Sequence, residues 1–147
     1  ERYKWIRGTD VPAIVGVSRW RTKYETYHMK RQTIPEPNLD DNERVLAGKF
    51  LEPALATWAS EKWDMKLRKV IRDVEHQTIP WFGCSLDYEE QAGVLCPVEI
   101  KNTDFIIFRD EYVTSEADRD LIEDAPMDYL LQSRASSLVC RAHQAAG

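Results

Sequence analysis

The sequence predicts an α/β fold, and three observations predict it. Apolar residues recur at three- and four-residue steps through residues 42–62 and again through 126–144, and short strand-like runs lie between them. Helix, strands, then helix is an α/β order, because a sheet with apolar faces must bury them against helices. At 147 residues the chain can bury a real core, so residues 1–147 are read as a single domain.

The elements follow in chain order. The N-terminal helices are expected within 9–32. Thr9-Asp10 caps a short helix with Pro12 in its first turn and Gly16 at its end, and Ser18 caps a second holding Tyr24, Tyr27 and Met29. Thr33 to Asp41, with two prolines and several acids, is a loop. The helix over 42–62 turns Val45, Leu46, Phe50, Leu51, Leu55 and Trp58 to one side. Pro53 should bend or interrupt it just after Glu52. A sheet over 67–108 follows, with strands at Leu67–Val74, Trp81–Leu86 and Gly93–Lys101 and a fourth at Phe105–Phe108. The turn-rich Tyr88–Ala92 segment should join the second and third as a hairpin. The acidic 110–125 stretch reads as a loop or flap. Pro126 then opens a helix over 126–144 carrying Met127, Leu130, Leu131, Leu138 and Val139.

Composition narrows the function classes. With 43% apolar and 31% charged residues the chain is ordinary for a globular protein, and no apolar run nears the roughly 20 residues of a membrane span. Cys84, Cys96 and Cys140 show no paired spacing, which excludes a four-thiolate cluster and fits buried thiols in a reducing cytoplasm. The net charge of −5 argues against a nucleic-acid partner, but the charge is uneven. Arg2, Lys4, Arg7, Arg19, Arg21, Lys23, Lys30 and Arg31 make the N-terminal quarter basic, and such a surface attracts phosphates whatever the global sign. The missing initial Met and the end at Ala145-Ala146-Gly147 suggest a chain cut from a longer one.

The chemistry centres on Asp87 and Glu99-Ile100-Lys101. In a strand through Val98–Lys101, Val98 and Ile100 share one face and Glu99 and Lys101 the other. Singly, Asp87 is a turn residue and Glu99 with Lys101 a solvated strand face. Jointly, a hairpin brings two carboxylates together to share a divalent cation. Oxygen ligands without His or Cys select Mg²⁺ or Mn²⁺. Lys101 could orient the attacking water, lower its pKa, or offset charge on phosphorus. Glu52 adds a third carboxylate if its helix crosses the sheet, and Gln132 could position water or phosphate. His28, His76 and His143 lack metal spacing, Ser85 has no His–acid relay, and no glycine-rich phosphate loop is present.

Asp87 with Glu99-Ile100-Lys101 resembles the motif of the PD-(D/E)XK nuclease superfamily. Gly8–Trp20, Gly48–Pro53, Gly83–Asp87 and Tyr129–Gln132, in that order, narrow the resemblance to the YqaJ-type viral recombinase nucleases, the group similar to phage lambda exonuclease. Leu86 and Tyr88 depart from it, since the family places Pro before and Gly after the metal Asp. The resemblance implies a restriction-endonuclease-like core, a central mixed β-sheet flanked by helices, with further strands beyond this chain's last helix. It implies Mg²⁺ or Mn²⁺ on Asp87, Glu99 and the Ile100 carbonyl, Lys101 serving the water, and Glu52 and Gln132 completing the site. Arg2, seven residues before Thr9, would hold a DNA 5′-phosphate with Thr9 and Ser85, with Arg7 as a competitor for that role. The implied activity is 5′→3′ digestion of double-stranded DNA ends for recombination, in the cytoplasm of a bacterial or phage-infected cell. A single-strand annealing protein is the implied partner and a ring-shaped homotrimer the implied assembly. The rivals are a structure-specific or restriction-like endonuclease on the same core, and a DNA-binding or assembly module with a vestigial metal site.

Overall fold

The computed structural model describes residues 3–91, 96–103 and 125–144. In chain order come β1 (Ile6–Arg7), a 3-10 turn (Gly8–Asp10), α1 (Val11–Val15), α2 (Lys23–Lys30), α3 (Glu43–Trp63), β2 (Leu67–Lys69), β3 (Asp73–Glu75), β4 (Phe82–Ser85), β5 (Tyr88–Glu90), β6 (Cys96–Val98) and α4 (Met127–Gln144). Arg2, the expected strand Phe105–Phe108 and the acidic stretch through residue 124 lie outside the described residues.

The α/β expectation holds, with strands in two small sheets rather than one central sheet among the described residues. One is mixed, ordered β1-β4-β3; the other is antiparallel, ordered β2-β5-β6. A single long hairpin links them. Lys69 faces Tyr88 and the Val70 N–H donates to the Asp87 carbonyl at 3.1 Å, yet Asp73 already faces Ser85. Ile71 and Arg72 therefore share the place opposite Leu86, which is the two-against-one pattern of a β-bulge. The bulge explains three departures from expectation. Leu67–Val74 is two strands rather than one. Tyr88 to Glu90 is a strand rather than a turn. Asp87 lies at the kink between β4 and β5. The strand expected through Lys101 stops at Val98, so Glu99, Ile100 and Lys101 follow it as irregular chain.

Helix ends follow local chemistry, with one correction. Gly16 ends α1 at φ 85°, the left-handed conformation glycine adopts without strain. Thr22, not Ser18, caps α2, because its hydroxyl accepts the Glu25 N–H while the Glu25 carboxylate accepts the Thr22 N–H at 2.7 Å. Asn42 caps α3 through the Arg44 and Val45 amides. The helix then runs unbroken past Pro53, against the expected interruption. It buries Ala56 and Ala59 and leaves Phe50, Leu51 and Trp58 exposed, so the large residues of its apolar pattern do not form its packed face.

The core lies where α4 crosses the sheet: Val74, Cys84, Leu86, Val139 and Cys140 form one buried cluster, with Val70 and Phe82 against it. Cys84 and Cys140 are the expected buried thiols, whereas Cys96 is exposed. Gly8 brings the 3-10 turn onto α4, where a side chain would meet the Gln132 carbonyl and the Ser136 hydroxyl at 3.1 Å. That close approach fixes the helix carrying Gln132 against the N-terminal segment. Among the described residues no helix is long and apolar enough to cross a membrane.

Candidate metal centre and its surroundings

Asp87 and the Glu99–Lys101 segment meet because β5 pairs with β6. Tyr88 faces Val98, so the residue before one strand lies beside the residues after the other. The Ile100 N–H donates to the Asp87 carboxylate at 3.0 Å and ties the two together. Glu99 points toward α4, where it accepts from Gln132 Nε2 at 2.9 Å and from the Ser136 hydroxyl at 3.4 Å. Lys101 Nζ lies 3.3 Å from the same carboxylate and 5.6 Å from the centre of the Tyr129 ring. Burial is the largest influence on the Glu99 carboxyl and pushes its pKa up; Lys101 opposes the shift, and the charge of Asp87 adds to it.

This donor set suits a hard cation. Two neighbouring carboxylates, one of them only 10% exposed at its side chain, carry negative charge that burial disfavours and a divalent ion would neutralise. Mg²⁺ needs only one or two carboxylates and keeps several waters, so Asp87, Glu99 and a backbone carbonyl such as that of Ile100 can hold it.

The structure brings Asp87, Glu99, Lys101 and Gln132 together, with Glu52 standing apart from them. Among the described residues no three His, Cys, Asp or Glu side chains converge on one point. Glu52 pairs instead with Lys69 on β2, Oε1 to Nζ 3.1 Å. Lys69 also lies 5.9 Å from the centre of the Tyr88 ring. Glu52 pushes the Lys69 pKa up, with a smaller contribution from Asp87. Lys69 and Ser136 are the two neighbours that sequence reasoning missed. Ser136 had a signal, being four residues after Gln132 and so on the same helix face. Lys69 had none, since a lysine in a charged strand reads as solvated.

The proposed phosphate residues divide. Ser85 is held from both sides: Arg7 donates to its hydroxyl, which donates to Asp73 at 2.6 Å. Arg7 forks onto the same Asp73 at 3.1 and 3.0 Å, joining β1, β4 and β3 across one sheet face. Thr9 lies exposed on the 3-10 turn and offers its carbonyl to Arg21 at 3.3 Å. Arg7 is thus the arginine in contact with Ser85 among the described residues.

Burial pushes the Asp73 pKa up, but the Ser85 hydroxyl and Arg7 outweigh it and leave the carboxyl below its ordinary value. A lowered pKa stabilises the fold above the ordinary value of 3.8, and that contribution fades as pH falls through the lowered one. Asp73→Asn should therefore melt below wild type near neutral pH, with the gap closing in acid. A gap of equal size at pH 6 and pH 2.5 would refute this account of the triad.

No curated protein matches the chain. The family description "YqaJ-like viral recombinase domain" matches residues 1–142. The match covers nearly the whole sequence. The chain belongs to the YqaJ-like viral recombinase domain family, a nuclease-like family of recombination proteins that act on DNA.

Proposed function

We propose that the protein is a Mg²⁺- or Mn²⁺-dependent deoxyribonuclease that digests double-stranded DNA from its ends, 5′→3′, to feed recombination. The observation that carries this reading is the bond from the Ile100 N–H to Asp87, which places that carboxylate beside Glu99 and Lys101. Asp87, Glu99 and the Ile100 carbonyl would hold the metal, which when bound supplies Lewis acidity at the phosphoryl oxygen and a more acidic water. Lys101, free to move from Glu99 once that charge is shared, orients the attacking water and offsets charge on phosphorus. Gln132 and Ser136 keep Glu99 aimed by hydrogen bonds that need no proton transfer. At the 5′ end, Arg2, Thr9 and Ser85 would receive the phosphate, and Ser85 must then turn its hydroxyl proton away from Asp73. Three copies encircling the duplex would keep the enzyme on one strand, and an annealing protein would take the strand left behind.

One assay tests the reading: linear and covalently closed circular duplex, with and without 5′-phosphate, in Mg²⁺ or in chelator. The expected result is metal-dependent loss of linear duplex only, faster with 5′-phosphate. Opening of the closed circle would make the protein an endonuclease, and duplex binding without cutting in any metal would make it a binding module. Arg2→Ala should slow digestion of phosphorylated ends several-fold more than hydroxyl ends. Equal slowing of both would remove Arg2 from end recognition.

A further inference from the structure

We infer that Asp73 is an internal competitor for the terminal phosphate of DNA. Its carboxylate fills a seat made by Arg7 and Ser85, and so sets how strongly the chain holds a 5′-phosphorylated end. This role rests on the end-directed reading above, in which Ser85 meets the 5′-phosphate, and adds the group that must first leave. Strand register builds the seat. Arg7 pairs with Gly83 in parallel, and Ser85 faces Asp73 across the β3–β4 pair. The Arg7 guanidinium forks onto both Asp73 oxygens at 3.1 and 3.0 Å, and the Ser85 hydroxyl donates to one of them at 2.6 Å. A guanidinium fork with a hydroxyl beside it is also a phosphate-binding arrangement.

The cation of the pair is fixed and the anion is open to water. The Arg7 side chain is 11% exposed and its Cζ lies 5.6 Å from the centre of the Trp5 ring, whereas the Asp73 side chain is 38% exposed. Arg7 Nε is buried and has no hydrogen-bond partner among the described residues, so the guanidinium keeps a donor that Asp73 does not use. The seat also lies at a useful distance. Ser85 precedes Asp87 by two residues, roughly 7 Å along an extended strand, with Leu86 between them buried in the core. That is close to the spacing of successive phosphates in a DNA strand. A terminal phosphate carries more negative charge than one carboxylate, so it can take Arg7 from Asp73. A 5′-hydroxyl has no charge to offer Arg7 and leaves Asp73 in place. After cleavage the released nucleotide still carries the phosphate in the seat, and Asp73 expels it by returning to Arg7.

The test reads binding in chelator, where nothing is cut, by fluorescence anisotropy of one duplex carrying either a 5′-phosphate or a 5′-hydroxyl. Asp73→Asn keeps the shape and removes the charge, and should raise the preference for the phosphorylated end by about tenfold. Asp73→Ala, which frees both donors, should raise it at least as much, and Asp73→Glu should keep the wild-type preference. Arg7→Gln added to Asp73→Asn should abolish the gain. Thermal melts show that each variant is folded at the assay temperature. Equal tightening on both ends would make Asp73 a general repeller of DNA and overturn its role. An unchanged preference in both neutral variants, or a gain that survives Arg7→Gln, would overturn it as well, and all three outcomes leave the nuclease reading intact. A raised preference without cutting in Mg²⁺ or Mn²⁺ would support the seat and overturn the nuclease reading. No binding of either duplex by any variant, with or without Mg²⁺, would overturn both.

Discussion

Asp87→Ala is expected to lower DNA cleavage by about a thousandfold or more while leaving the protein folded. The reason is local. Asp87 is half-buried, and among the described residues its carboxylate accepts one hydrogen bond, from the Ile100 N–H, so truncation gives up about 1 kcal/mol there. The catalytic loss is larger because Asp87 is one of the two carboxylates that meet at the centre among the described residues. Lys101→Ala should cost a comparable factor for a different reason, removing the ammonium and leaving both carboxylates. The two variants therefore separate in Mn²⁺ binding, which Asp87→Ala should lose and Lys101→Ala should keep. Full activity in either purified variant, with an unchanged circular dichroism spectrum, would remove that residue from the chemistry.

The largest effect on stability is expected at Asp10. Its side chain is 3% exposed; it accepts the Arg7 N–H at 2.8 Å, pairs with Lys30 at 2.6 Å and also pairs with Arg21. One carboxylate thus ties the 3-10 turn, α2 and the chain between them. Asp10→Ala leaves two cations without this partner, and breaking such a buried arrangement from one side costs about 3–5 kcal/mol. Arg21 and Lys30 are 23% and 17% exposed at their side chains, so water recovers part of the loss and the lower end, about 3 kcal/mol, is expected. In a thermal melt that is a fall on the order of 10 °C. Urea denaturation showing a change under about 1 kcal/mol would mean that Arg21 and Lys30 find other partners.

Asp10 also shows the limit of reading caps from sequence. Thr9-Asp10 before Pro12 was legible as a helix start, and a helix does start there. The Asp10 side chain, however, serves Arg21 and Lys30, which are remote in the chain, and makes no cap bond to α1. At residues 82–85 the strand was legible, but Tyr88–Glu90 read as a turn and the bulge opposite Leu86 was not legible, because both depend on the register of the partner strand. In α3 the periodicity gave the helix and misjudged its face. With Ala56 and Ala59 inside, small residues let the helix approach, while Phe50 and Trp58 stay in solvent.

The sequence by itself determined what depends on near neighbours. Gly16 stops a helix through its own left-handed backbone, Pro126 precedes one, and the Asp87 with Glu99-Ile100-Lys101 pattern names two carboxylates and a lysine that the fold gathers. Tertiary structure alone decided how those groups are used. It set Ser136 and Gln132 on Glu99, bound the Ser85 hydroxyl between Arg7 and Asp73, and gave Glu52 to Lys69 instead of the two gathered carboxylates. The physical reason is that a charged side chain takes whichever partner the fold brings within hydrogen-bond reach as water is excluded. That choice depends on strand register and helix docking across many residues, so local spacing could name the carboxylates of this site but not their partners.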